Sequence, residues 1–369
     1  MTLEVVARNT RRIRLAKKLS RTKLAECSNL SLSAINNIEN CKGKPRVNTL
    51  LAVSQALDVP LQELFLPVRV LEKVRFRSRA SMKSRENLLA EISRRLDDLD
   101  YLEEILDERI PSKLRLIRGR ASGIHPREAA SYCREELGLA SPEPVNDICS
   151  LLENAGIKLF TVTNSSEAFY GLSVAEEDGG PAIVVNVQER ISIERRIFSA
   201  AHELGHLLLH LDAYDVDDSA ENKDEEREAD LFAGHFLMTD EAFRKEWNDA
   251  AGLHWVDRVL KVKTIFRVSY KTVIARLLEH KAVDRSVWMK FTIAYKNRFN
   301  RNLPFKEEPR GLASEPFGIA PFDFFEDRFS RLVRRAVEEE KISLSRGAEM
   351  LRISVDEMRE LSANWAAVL

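Results

Sequence analysis

The sequence predicts a mostly helical α+β protein: an all-α N-terminal module, a central region with a small sheet, and a helical C-terminal region. Three observations carry this. Apolar residues recur at three- and four-residue spacing through most of the 369 residues. One stretch, Tyr170–Val174 and Ala182–Asn186, reads as two strands joined by the turn Asp178-Gly179-Gly180-Pro181. Charge is also unevenly spread: up to Arg85 there are 18 Lys/Arg against 6 Asp/Glu, while the whole chain carries a net charge of −1. A chain this long implies two or three domains. The expected division is 1–66, a connector helix within 67–110, a sheet-containing domain at 111–250 and a helical region at 251–369.

Composition narrows the class. Hydrophobic content of 44% and charged content of 31% fit a globular chain, and no run approaches the roughly 20 apolar residues of a membrane helix. Met1-Thr2-Leu3-Glu4 opens no signal peptide. Cys27, Cys41, Cys133 and Cys149 are scattered, without C-x-x-C spacing, which points to reduced thiols and a cytoplasmic setting. The basic N-terminal module is the electrostatic footprint of a nucleic-acid reader.

Within residues 1–66, helices are expected at Arg11–Lys18 (anchored by Ile13 and Leu15), Arg21–Cys27 behind a Ser20 cap, a segment capped by Ser31 or Ser33 and running to Asn40, one opening at Asn48 or Thr49 and running to Leu57, and Pro60–Phe65. Leu24, Ala25, Ile35 and Ile38 are core positions. The segment "LSRTKLAECSNLSLSAINNIENCKGKPRVNTLLAVSQALDVPLQELF" resembles the helix-turn-helix domain of Cro and phage-repressor-type (XRE) regulators. That resemblance implies a third helix lying in the major groove of a double-stranded operator. By position, Arg21, Ser31, Leu32, Ser33, Asn36 and Asn37 would face DNA, with Lys17, Lys18, Lys42 and Lys44 near the backbone. The sequence departs from the common pattern in one respect, for the recognition helix itself carries no Arg or Lys.

The connector starts extended and basic and turns helical near Lys83, with a stripe of Leu88, Leu89, Ile92, Leu96, Leu99, Leu102 and Leu106. It serves as a spacer or as a contact in a homodimer.

The segment "IERRIFSAAHELGHLLLHL" is apolar and helical, with His202 and His206 four residues apart. That is just over one turn, so both imidazoles leave the same face, as a zinc site requires. Glu203 sits beside the first histidine, placed to act as a base without ligating. Downstream, "EREADLFAGHFLM" is a second helix. Glu226, Glu228 and Asp230 are candidates for a third ligand. Glu226 and Asp230 share a face, the spacing of a ligand carboxylate plus one that orients a histidine through its other ring nitrogen. Glu226 is preferred, Glu228 is the alternative, and Glu228 otherwise reads as a solvated charge. His210 reads as a buried, hydrogen-bonded neighbour. Tyr170, Tyr214 and His235 are candidates to stabilise an oxyanion. The sheet edge beside the helix is a place where an extended peptide adds as a strand.

The pieces "YGLSV", "PAIVVN", "RRIFSAAHELGHLLLH" and "EREADLFAGHFLM" resemble the ImmA/IrrE family of metallopeptidases. This resemblance implies a thermolysin-like zincin fold, His202, His206 and Glu226 as zinc ligands, Glu203 as base, and cleavage of a regulator encoded nearby in a stress or mobile-element response. The family usually has Pro after the Leu-Met pair, where this chain has Thr239, so an altered groove or loop is expected there. The reading is a DNA-binding regulator joined to a zinc metalloendopeptidase. The alternative is a non-catalytic zinc-containing repressor or antitoxin that senses a signal or partner. At the C-terminus, "KISLSRGAEMLRISVDEMREL" has helix-turn-helix character, with Ser343 or Ser345 and Ser354 as caps.

Overall fold

The computed structural model describes residues 3–17, 19–65, 71, 73–76, 85–121, 123–140, 142–166, 169–210, 222–304, 319 and 324–366. Lys18, Tyr214 and the acidic loop before Asn222 lie outside them. The chain forms two compact units, one of Met1–Leu71 with Ala80–Asp98, the other of Glu72–Arg79 with Leu99–Leu369.

The first unit begins with α1 (Leu3–Ala16), α2 (Arg21–Ser28), α3 (Leu32–Glu39) and α4 (Val47–Ala56), followed by a 3-10 turn at Leu61–Leu64. Helix α1 starts eight residues before the expected Arg11. Val6 and Ala7 are buried with Ile13, and the Asn9 side chain donates to the Leu64 carbonyl. Leu15, expected as an anchor, is instead exposed. Ser20 and Ser31 cap α2 and α3 by accepting from Lys23 N and Ala34 N. Leu24, Ile35, Ile38, Leu50, Val53, Leu57 and Leu64 make the core. At its polar centre the carboxylate of Glu39 receives Arg14 from α1 and Arg21 from α2, at 2.5 and 2.6 Å.

Further along the chain come α5 (Arg85–Ile105), α6 (Leu114–Ala121), α7 (Pro126–Glu136) and α8 (Ile148–Asn154). In the second unit the sheet has the order β1-β3-β4-β2, from β1 (Val74–Phe76), β2 (Lys158–Val162), β3 (Gly171–Val174) and β4 (Ala182–Asn186). Strand β3 runs antiparallel to both neighbours, and β2 runs parallel to β4. The expected pair β3 and β4 is present within a residue, but it lies at the middle of a larger sheet. β3 is not an open edge, because β1 covers it. Helix α9 (Ile193–Leu209) starts at the Ser192 cap and packs across the sheet, and α10 (Lys223–Leu237) packs on α9. Gly205 permits this approach: a Cβ there would meet Phe232 Cδ1 at 3.0 Å and Ala229 Cα at 3.3 Å. A buried ion pair, Lys263 Nζ to Glu194 Oε1 at 2.9 Å, ties α9 to α12 (Trp255–Phe266).

One apolar core runs from Leu114 through the sheet and α9 to Phe291, Tyr295 and Phe324. It thus includes α11 (Asp240–Asp249), α12, α13 (Tyr270–Glu279) and α14 (Val287–Phe299). Thr239 caps α11, accepting from Ala242 N at 3.2 Å. Near the C-terminus α15 (Arg328–Glu338), α16 (Leu344–Leu351) and α17 (Val355–Ala366) follow, with Ser343 capping α16 and Ser354 accepting from Glu357 N. Among the described residues no helix is long and apolar enough to cross a membrane.

Candidate metal centre and nucleic-acid interface

His202 and His206 project together from α9, both fully buried. Their Nε2 atoms stand 2.9 Å apart. Glu226, on the first turns of α10, brings Oε2 to 3.3 Å from His202 Nε2 and Oε1 to 3.1 Å from His206 Nε2. All three donor atoms lie within 4.8 Å of one another.

The neighbours fix the tautomers of both rings. His202 Nδ1 lies 2.8 Å from Asp230 Oδ1, a carboxylate that can only accept, so Nδ1 carries the proton and Nε2 a lone pair. A second relay acts on His206. His210 Nε2 donates to Glu228 Oε2 at 2.9 Å, which leaves His210 Nδ1 as an acceptor. His206 Nδ1, 3.0 Å away, donates to it. His206 Nε2 is then unprotonated as well. Burial lowers the His206 pKa to about 3, so the ring is neutral near pH 7. Two imidazole lone pairs and a carboxylate aimed at one point repel each other unless a cation lies among them. Two nitrogens and one oxygen form a donor set that suits zinc and leaves a fourth position open. The residues present therefore fit a zinc ion.

Glu203, one residue from His202, turns toward the sheet. Ser173 Oγ on β3 donates to its Oε2 at 2.8 Å. Gly171 keeps β3 close: a Cβ there would meet Val184 O at 3.0 Å and Glu203 Oε1 at 3.4 Å. From β1, Arg75 reaches α10, where it pairs with Glu225 and lies 3.4 Å from Glu226 Oε1.

In the first unit, α2, the turn at Asn29 in the left-handed region (φ 53°) and α3 form a helix-turn-helix. Leu32, Ser33 and Asn37 are exposed on α3, and Asn36 is half-buried. Ser31 spends its hydroxyl on the α3 cap and Arg21 turns to Glu39, so both have partners inside the module. Lys42 and Lys44 are exposed, and Lys17 pairs with Asp58.

Residues 152–278 match the family described as IrrE N-terminal-like domain. Residues 11–64 match the family described as helix-turn-helix. No curated protein matches the chain. The two matches agree with the fusion expected from the sequence: a DNA-binding transcription-regulator module joined to a metallopeptidase-family domain.

Sequence reasoning missed three parts of this centre. Glu228, read as a solvated charge, anchors His210. Arg75 bears on α10 from a strand 150 residues away in the chain. Ser173, which holds Glu203, lies within the YGLSV piece but was given no role there. His235, an oxyanion candidate, is buried, with Arg276 Nη1 2.7 Å from its Nε2. His235 and Tyr170 line a cavity of about 680 Å³ between α9, α10 and α13, which among the described residues shares Asp230 with the metal centre. Tyr170 lies under the Arg195 guanidinium, 4.2 Å from its ring centroid.

Proposed function

We propose that the chain is a cytoplasmic DNA-binding regulator whose second unit is a zinc metalloendopeptidase acting on a regulator protein encoded nearby. His202, His206 and Glu226 would hold the zinc. Bound there, zinc would supply Lewis acidity toward a scissile carbonyl. The observation that carries the reading is the pairing of a convergent three-donor set with Glu203, a buried carboxylate next to His202 on the same helix that is not one of the three donors. Glu203, steadied by Ser173, takes a proton from the attacking water and returns it to the leaving amine. Asp230 and the His210–Glu228 relay keep both ligand tautomers in place. Asn36, Asn37, Ser33 and Leu32 read operator DNA, while Lys42 and Lys44 sit near its phosphates.

The test co-expresses wild type or Glu203→Gln with the neighbouring regulator. Cleavage by wild type alone is expected, with zinc content unchanged in both. If both leave every candidate intact while zinc and operator binding persist, the peptidase reading falls and a zinc-containing sensor or antitoxin takes its place.

A further inference from the structure

We propose that β1 is a built-in occupant of the site where a substrate strand binds, so that the chain holds its own peptidase unit closed. This rests on the peptidase reading of the metal centre.

The placement follows from the sheet. On β3, Ser173 donates to Glu203, and a Cβ at Gly171 would meet the same carboxylate, so both positions face α9. A strand laid antiparallel along the outer side of β3 therefore crosses the catalytic carboxylate. Residues 74–76 do this, in the register Val74↔Val174, Arg75↔Ser173 and Phe76↔Leu172. Ala175 N–H donates to the Lys73 carbonyl at 3.0 Å, which makes Arg75↔Ser173 the next hydrogen-bonded pair of the ladder. Directly opposite residues of paired strands project on the same face, so Arg75 shares the face of Ser173. There it meets Glu225 and Glu226.

The pairing is anchored at one end, where Lys73 N–H donates to the Asp178 carboxylate at 2.5 Å. Among the described residues the pairing is three residues long, and so short a ladder is displaceable. Strand addition draws affinity from main-chain hydrogen bonds and specificity from alternate side chains. The geometry thus names the substrate class: an extended segment with a basic residue between apolar ones, its cation taking the place of Arg75 beside Glu225.

The test uses the full chain and a fluorescent peptide with the sequence of residues 70–80. Arg75→Pro removes the central ladder N–H and the guanidinium, and Arg75→Ala removes the guanidinium alone. Peptide binding is read by anisotropy, and amide exchange is read at Gly171–Val174. Arg75→Pro should bind the peptide about tenfold or more tightly than wild type, equivalent to ~1.4 kcal/mol, with Arg75→Ala between them. Exchange at β3 should rise in Arg75→Pro and fall again when peptide is added. Equal affinity in all three proteins, or β3 exchange unchanged by peptide, overturns the proposal and makes β1 a permanent part of the sheet. If Arg75→Pro does not fold, Arg75→Ala decides by the same affinity comparison. Tight peptide binding with zinc bound but no cleavage would instead sink the peptidase reading and leave the strand site standing.

Discussion

Replacing His210 with Phe isolates the relay behind His206. Phe preserves the ring volume but removes the acceptor for His206 Nδ1, which lies 3.0 Å from His210 Nδ1. His206 is fully buried and His210 is only 8% exposed, so water does not readily substitute. The orphaned N–H costs about 1–3 kcal/mol. Alternatively the ring shifts its proton to Nε2, which removes a donor from the metal set. Loss of such orienting partners typically lowers metal affinity by about 10- to 100-fold. The upper part of that range is expected here because the bond is wholly enclosed. Glu228→Gln provides the contrast. Glu228 is 52% exposed and an amide oxygen still accepts from His210 Nε2, so affinity should change by less than about threefold, under ~1 kcal/mol. Zinc competition against a chromophoric chelator measures both. His210→Phe binding zinc as tightly as wild type would refute the tautomer argument.

Three further outcomes follow from the same structure. Gly205→Val forces a side chain against Phe232 and Ala229. Overpacking of this kind costs about 1–3 kcal/mol, and zinc affinity should fall with it because the displaced helix carries Glu226; thermal unfolding and chelator competition follow the two effects. The unfolded chain protonates His206 near its ordinary 6.5, whereas the folded chain does so only near 3. The metal-free fold should therefore lose stability as pH falls from 6.5 toward 3 and gain none above it. Urea unfolding against pH should show this slope, flattened in His206→Gln. In the first unit, Asn36→Ala or Asn37→Ala should weaken operator binding by about 1–3 kcal/mol and relax one base position. Lys42→Ala should reduce the salt slope by about one; anisotropy titrations at several salt concentrations separate these cases.

Much of the architecture was legible because helices are local objects. The caps Ser20, Ser31 and Ser343, the apolar stripe of α3, the spacing of His202 and His206 and that of Glu226 and Asp230 are each set within a turn or two of chain. The same spacing arguments separated Glu226 from Glu228 as the residue that meets the two imidazoles. Strands were harder. Lys158–Val162 and Val74–Phe76 are five and three residues long, and neither is joined to its partner by a tight turn like the one between β3 and β4. Their existence depends on partners elsewhere in the chain. The start of α1 was missed for a similar reason, since Asn9 and Thr10 look like surface residues until Leu64 is folded against them.

The sequence by itself determined that two imidazoles share one helix turn, that Glu226 and Asp230 share a face of a later helix, and that a basic helical module precedes them. Only the tertiary structure decided what those groups meet. It joined Ser173 to Glu203, Glu228 to His206 through His210, and Arg75 to the carboxylates of α10. Side-chain periodicity specifies which face a residue occupies. The distance between faces is set by packing at points such as Gly205 and Gly171, and strand register is set by hydrogen bonds between segments far apart in the chain.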